Sequence, residues 1–190
     1  FINPIAASFM EPAVQNAPQI SVKADQFELE KERTRLHPLE ELVQEVLDEL
    51  KPRTHGIQIW VELTEKSGWY CDRNEIRIVL LSLVGRAIES VPPMNGHICI
   101  RCQPEGQAHT RLDIIDNGRG LPPEQLSSIF RPGKRFAQGP NGESIAQQSL
   151  FSVRNIIELH GGAISAESFL GEGTTFSVTL ESALPAELVA

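Results

Sequence analysis

The sequence has few cysteines, no surplus of basic residues and no long apolar run. Three cysteines among 190 residues favour a reducing compartment without a framework of disulfides. Acidic residues outnumber basic ones by 25 to 17, and the resulting net charge of -8 argues against a nucleic-acid-binding surface. Because no apolar run is long enough to cross a bilayer, we expect no membrane contact from this segment.

The start of the chain lacks both a recognisable signal peptide and an initiating Met. The run Phe1-Ile2-Asn3-Pro4 has no basic region, and we expect the sequence to be a fragment of a longer protein. Residues 1–26 are rich in Pro, Ala, Asn and Gln without a sustained period, which indicates a linker or leader remnant. We predict one domain over residues 27–181 and a tail over residues 182–190.

Two of the cysteines, Cys99 and Cys102, form a C-x-x-C pair of the kind that binds zinc when a second ligand pair is present. With three cysteines in all, that second pair is missing. The pair lies in a strand-like run, where a spacing of three puts the two side chains on opposite faces. We therefore predict ordinary strand residues here.

Helical and strand-like patterns mix along the chain. Apolar residues recur at helical spacing over 39–50 and, on a wider face, over 76–88, where Asp72 is a good N-cap. A further amphipathic helix is predicted over 149–160 and a short one over 122–129. Alternation predicts strands over 27–36, 57–61, 69–71, 97–103, 111–116, 162–167 and 174–180.

This mixture predicts an α/β (α+β) two-layer sandwich. Its simplest form has one mixed, mostly antiparallel sheet with the helices on one face. Residues 131–147 have low hydrophobicity and three glycines, so we predict a long loop of the kind that acts as a functional lid or is disordered.

Four sequence blocks in a fixed order resemble the catalytic and ATP-binding domain of sensor histidine kinases. The superfamily is shared with gyrase, heat-shock chaperone and mismatch-repair ATPases. The blocks are Asp72–Ser90, Asp116-Asn117-Gly118-Arg119-Gly120-Leu121, Ile129-Phe130-Arg131-Pro132, and Ile156-Ile157-Glu158-Leu159-His160-Gly161-Gly162 followed by Gly171-Glu172-Gly173-Thr174-Thr175-Phe176. The resemblance covers about residues 28–180 and implies a Bergerat-type ATP-binding fold.

The resemblance assigns a nucleotide-binding role to five of the matched residues. The aspartate matching Asp116 accepts a hydrogen bond from the adenine amino group, which suits a carboxylate because it is an acceptor only. Gly118 and Gly120 let the backbone turn tightly and approach the ligand. Thr174 supports the adenine end by hydrogen bonding, directly or through water. Phe130 belongs to the family's phenylalanine box.

The sequence departs from the family at the phosphate end. Ser82 and Arg86 replace the two asparagines that hold magnesium; serine is a weak substitute, and arginine offers no acceptor. Glu89 would repel phosphates. The second Gly-x-Gly pair, which cradles phosphate at a helix start, is replaced around Gln147 and Ser149.

These departures predict a degenerate, pseudokinase-like domain that works as a signalling or regulatory interaction module with weak or no kinase activity. ATP or ADP would bind weakly, magnesium is not expected, and no catalytic residue is assigned. The alternative is an active but divergent kinase domain in which Arg86 pairs with phosphate directly and replaces the metal. A third hypothesis is a histidine phosphotransfer protein with a vestigial kinase domain.

The resemblance also sets expectations for partners. The five histidines are interpreted as structural or surface residues, so the phosphoacceptor would belong to a dimerisation domain outside this fragment. We expect a response regulator or a partner histidine kinase as the binding partner, and a cytoplasmic location, alone or within a membrane-anchored sensor.

Overall fold

A computed structural model describes residues 35–64, 67–132 and 149–183, and within these ranges seven strands form one sheet. The strands are β1 (Arg35–Pro38), β2 (Ile57–Glu62), β3 (Gly68–Cys71), β4 (Gly96–Glu105), β5 (His109–Asp116), β6 (Ala163–Phe169) and β7 (Gly173–Ala183). Their order is β1-β3-β7-β5-β4-β2, and β6 pairs with β7 off this path. The paired strands are antiparallel except β2 and β4, which are parallel. The sheet is mixed and mostly antiparallel, as predicted.

In the same ranges, three longer helices form the second layer of the sandwich. They are α1 (Leu39–Leu50), α2 (Arg73–Ser90) and α4 (Leu150–Leu159), with a short helix α3 (Pro123–Leu126) after β5 and a 3₁₀ turn at Lys51–Arg53. Of the three, α2 is central, since it contacts both α1 and α4 and also packs on β4, β5 and β7. The predicted two-layer α/β sandwich is confirmed.

The sequence explains why α2 forms and where it ends. The Asp72 carboxylate accepts hydrogen bonds from the backbone N–H groups of Asn74 and Glu75 at 2.8 and 3.2 Å, which confirms the predicted N-cap. Its apolar face is buried in the core, including Ile76, Val79, Leu80, Leu83, Val84, Ala87 and Ile88. The helix stops at Ser90, two residues before Pro92, and this end lies beside the last residue of β5.

Two sequence predictions fall partly outside the described residues. The predicted strand over 27–36 overlaps β1 only from Arg35 onward, and residues 27–34 lie outside the described ranges. Of the predicted loop over 131–147, Arg131 and Pro132 are described and lie in a turn after Phe130. The linker over 1–26 also lies outside the described residues.

His160 joins the C-terminus of α4 to the N-terminus of α2. Its Nε2 atom accepts the backbone N–H of Asp72 at 3.0 Å, and its Nδ1 atom lies 2.8 Å from the carbonyl oxygen of Ile156. Because Nε2 accepts a hydrogen, the proton of the neutral ring is on Nδ1, where it is donated to Ile156. His160 is therefore a structural residue, as the sequence interpretation proposed.

We expect His160→Ala to lower the free energy of unfolding by about 1–3 kcal/mol, because it leaves the half-buried backbone N–H of Asp72 without its acceptor. Urea denaturation followed by circular dichroism measures this change. His160→Gln, which keeps an acceptor of similar reach, should recover part of the loss. A change below about 0.5 kcal/mol for the alanine variant would show that the link contributes nothing.

Candidate functional site

Asp116 is the last residue of β5 and lies at the end of the sheet where α2 stops. It pairs with Thr174 of β7, and its side chain is buried, with a relative exposure of 4%. The Oδ1 atom accepts the Ser90 hydroxyl at 2.7 Å and the Gly118 backbone N–H at 2.8 Å. Both contacts use Oδ1, and because each carboxylate oxygen has two lone pairs, Oδ2 keeps acceptor capacity for a ligand.

The buried surroundings of Asp116 disfavour the ionised form of its carboxyl group. Burial raises the pKa of its carboxyl above the ordinary value, while the hydrogen bonds from Ser90, Gly118 and Thr174 and the charge of Arg86 act in the opposite direction. A buried carboxylate with a raised pKa at the end of a sheet is typical of a functional group. These features make Asp116 a candidate functional residue.

The two glycines after Asp116 fit the loop closely against the rest of the protein. A Cβ atom on Gly118 would lie 2.1 Å from the Ser90 hydroxyl and 2.7 Å from its backbone carbon. Gly120 has a φ of +64°, and a Cβ there would lie 2.0 Å from the carbonyl oxygen of Phe169. The loop is thus packed between the end of α2 and the β6–β7 turn. This packing requirement adds to the ligand approach that the sequence resemblance implies.

Thr174 lies beside Asp116, and its hydroxyl already has a partner. Its Oγ1 atom is 2.9 Å from the hydroxyl of Ser168, which in turn accepts the backbone N–H of Leu121 at 2.8 Å. Ser168 therefore ties the β6–β7 hairpin to the glycine loop. Sequence reasoning missed both Ser168 and Ser90. The spacing of four residues places Ser90 on the helix face of Arg86 but does not identify Asp116 as its partner.

Ser82, Arg86 and Ser90 follow one another at intervals of four residues along α2 and so share a face of the helix. Ser82 is 3% exposed, and its hydroxyl donates to the carbonyl oxygen of Ile78 at 2.8 Å. Its hydroxyl proton is thus committed to the helix itself. The last member of the row, Ser90, contacts Asp116.

Arg86 is half-buried and lies within electrostatic reach of Asp116. Burial lowers the pKa of its guanidinium to about 10, with the positive charge of Arg119 adding to this effect and Glu89 and Asp116 opposing it. The guanidinium therefore remains charged at neutral pH. The structure thus gathers Asp116, Thr174, Gly118 and Arg86 at one end of the sheet.

Residues 71–184 match the family model described as histidine kinase-, DNA gyrase B-, and HSP90-like ATPase. The chain belongs to this ATPase family. Among curated relatives, the adaptive-response sensory kinase SasA of Synechococcus elongatus is 32% identical over 157 residues, covering 78% of this chain and 40% of SasA. The sensor protein SrrB of Staphylococcus aureus is 34% identical over 126 residues, covering 66% of this chain and 21% of SrrB.

Solved structures support the same assignment. The nucleotide-free catalytic domain of the histidine kinase ThkA has 28% identity and a TM-score of 0.67, covering 78% of this chain and 95% of that domain. ThkA in complex with the response regulator protein TrrA has 27% identity and a TM-score of 0.65, covering 86% of this chain and 47% of that one. This chain therefore resembles the ATPase domains of histidine kinases in sequence and in fold. It spans less than half the length of SasA or SrrB.

Phe130 and Ser149 occupy the remaining predicted positions of this ATPase domain that the structure describes. Phe130 lies after α3 and packs, half-buried, against the hydrophobic core. Ser149 is the N-cap of α4, where its hydroxyl accepts the backbone N–H of Ser152 at 3.2 Å. Its side chain thus has a structural use at the helix start where the ATPase family places a glycine. Gln147 lies outside the described residues.

The C-x-x-C pair of the ATPase domain lies on β4. Cys102 is buried, Cys99 is half-buried, and both thiols are free. Their alternate burial matches the prediction that they face opposite sides of the strand.

In the three described ranges, no three His, Cys, Asp or Glu side chains cluster closely enough to hold a metal. The helices described there are all too short or too polar to span a bilayer.

Proposed function

We propose that this chain is a degenerate sensor kinase domain that acts as a signalling or regulatory interaction module and has weak or no kinase activity. One observation carries the proposal: the position of a magnesium-binding asparagine holds Arg86, whose guanidinium lies in the electrostatic field of Asp116. The adenine end, centred on Asp116 and Thr174, keeps its residues. The phosphate end does not.

The residues at the metal position do not fit a bound magnesium ion. Magnesium takes oxygen ligands in octahedral geometry, and a guanidinium supplies donors only. The Ser82 oxygen is buried against its own helix, where it bonds to Ile78. Arg86 also brings a positive charge to the place where the cation would lie. Glu89 adds a negative charge that opposes the phosphates, so neither charge helps a magnesium–ATP complex.

The proposal includes a protein partner. A solved structure holds the histidine kinase ThkA in complex with the response regulator protein TrrA. By analogy, we propose that this domain contacts a response regulator or a partner histidine kinase, and that dimerisation depends on a domain outside this fragment. We further propose that the domain works in the cytoplasm, alone or as part of a membrane-anchored sensor.

A second candidate is an active but divergent kinase domain that transfers the ATP γ-phosphate to a histidine on a separate domain. The observation that favours it is the burial of Asp116 as an acceptor. The pKa of this carboxyl is raised by burial although Ser90 and Gly118 donate to it, and a buried acceptor of this kind suits a bound ligand. In this case Arg86 would stand in for the metal by bidentate contact with phosphate oxygens.

We expect phosphotransfer by this chain to fall at least about 100-fold below that of a kinase domain with both asparagines, because metal stabilisation of the transferred phosphoryl is worth several kcal/mol. The test supplies ATP labelled at the γ-phosphate, magnesium and a phosphoacceptor helical hairpin in trans. The catalytic domain of an active sensor kinase with its own hairpin is the positive control. A rate within about tenfold of the control would favour the active candidate.

A further inference from the structure

We infer that the site binds adenine nucleotides without a divalent metal and prefers a diphosphate to a triphosphate, with Arg86 as the phosphate-binding cation. The inference rests on the adenine-end assignment in the proposed function. It adds the ligand class, a metal-free nucleotide with a short phosphate chain. The ligand is then a regulator of the domain rather than the substrate of a transfer reaction.

The geometry of α2 places Arg86 between the two ends of such a ligand. Ser90, one helical turn further on, donates to Asp116 at 2.7 Å, so this face of the helix points toward the adenine end. Arg86 on the same face lies one turn, about 5–6 Å, further from Asp116. In the inferred binding mode, a nucleotide whose adenine meets Asp116 has its phosphates along α2, beside the guanidinium.

Arg86 has the chemistry to replace a metal contact. A guanidinium binds two phosphate oxygens at once, and a charge-assisted pair of this kind is stronger than a neutral hydrogen bond. Partial burial strengthens the contact, since the local dielectric is lower than that of water. Arg86 keeps its charge at neutral pH, as its pKa of about 10 requires.

The charges around the site limit the length of the phosphate chain. Arg86 lies within electrostatic reach of a second cation, Arg119, and of two anions, Glu89 and Asp116. Each further phosphate adds a negative charge that no metal neutralises and that Glu89 repels. ADP should therefore bind at least as tightly as ATP. Magnesium should not help, because a second cation beside Arg86 is repelled by it.

Calorimetric titration of AMP, ADP and ATP into the full chain, in EDTA and in magnesium, tests the inference. We expect ADP to bind about 3- to 10-fold more tightly than ATP in EDTA, and magnesium to leave ADP affinity unchanged or weaker. Arg86→Asn should lower ADP affinity in EDTA about 10- to 100-fold. Glu89→Gln should raise ATP affinity about 3- to 10-fold and so narrow the gap to ADP.

Two further variants separate binding from folding. Arg154→Asn removes the same charge from an exposed position on α4, where Arg154 pairs with Glu158, and should leave all affinities unchanged. Arg86→Lys keeps the charge and loses the bidentate contact, so it should bind ADP between the wild type and Arg86→Asn. Thermal melts confirm that each variant is folded, and Glu89→Gln provides the test should both Arg86 variants unfold.

Each remaining outcome has one meaning. The absence of heat with any nucleotide, in a folded protein, overturns the inference and leaves the proposed interaction module intact. Magnesium-dependent binding in which ATP exceeds ADP overturns the inference and the proposed loss of kinase function together. Metal-independent binding that Arg86→Asn does not weaken also overturns the inference, because the cation would then be another residue.

Discussion

Gly173→Ala should destabilise the domain by at least about 3 kcal/mol, a large share of the roughly 5–15 kcal/mol that a domain of this size has. Gly173 has a φ of +123°, where an alanine is strained, and its Cβ would lie 1.8 Å from the carbonyl oxygen of Asp116. Since the obstacle is backbone, β7 must move away from β5. Urea denaturation measures the loss.

Gly171→Ala is the matched control for this prediction. Gly171 also has a positive φ, +83°, but an added Cβ there would meet nothing within 4 Å. Its expected cost is therefore the conformational term alone, about 1–2 kcal/mol. Equal losses for the two variants would show that the contact with Asp116 is not tight and would contradict the packing described for the site.

Asp116→Asn should weaken adenine-nucleotide binding about 10- to 100-fold while the fold remains intact. Ser90 and Gly118 both donate to Oδ1, which the asparagine retains. The substitution places an NH₂ group at the other position, where it meets the adenine amino group as donor against donor. Calorimetry with ADP measures the change. Undiminished binding would remove Asp116 from the site.

The same variant should be more stable than the wild type at neutral pH. Burial raises the pKa of Asp116 above its unfolded value, and the hydrogen bonds from Ser90, Gly118 and Thr174 and the charge of Arg86 offset this only in part. The ionised form therefore destabilises the fold above the folded pKa. As pH falls through that pKa toward the unfolded value, the carboxyl takes up a proton and the penalty disappears. The stability gap between the variant and the wild type should therefore close on acidification.

Asp113→Asn is a control for which the expected change in stability at neutral pH has the opposite sign. Asp113 is buried on the same strand, but its Oδ1 atom lies 3.1 Å from Nε of Arg111 and accepts the Ser177 hydroxyl at 2.7 Å. Removing its charge leaves a cation without its partner, so the variant should be less stable than the wild type at neutral pH. It should leave ADP binding unchanged. A stabilised Asp113→Asn would show that a buried carboxylate on β5 is costly whatever its neighbours.

Local patterns were sufficient to predict the sandwich, while the nucleotide-binding roles of the site residues stay predictions. Asp72 before an apolar face of helical period identified α2, because capping and periodicity depend on residues close in sequence. The substitutions at Ser82 and Arg86, and the predicted role of Asp116, came from the resemblance of four ordered sequence blocks to sensor kinase domains.

Contacts between distant segments could not be predicted in the same way. Ser90 and Asp116 are hydrogen-bonded although they are 26 residues apart in the sequence, and Asp72 and His160 are hydrogen-bonded at a separation of 88 residues. Nothing local marks a serine as the partner of a carboxylate on another strand, since the register of the sheet decides which residues meet. Ser168, bonded to Leu121 across 47 residues, was missed for the same reason.

The close fit of the glycine loop bears on how members of this family are sorted into active and inactive ones. Gly118, Gly120 and Gly173 each face backbone or side-chain atoms of the protein itself at distances that exclude a methyl group. Selection for folding would keep these glycines in a domain that has lost its enzymatic chemistry. Their presence in a newly sequenced relative is thus a marker of the fold. Under the proposed function, the positions equivalent to Ser82 and Arg86 are the ones that distinguish a metal-dependent kinase from a degenerate domain.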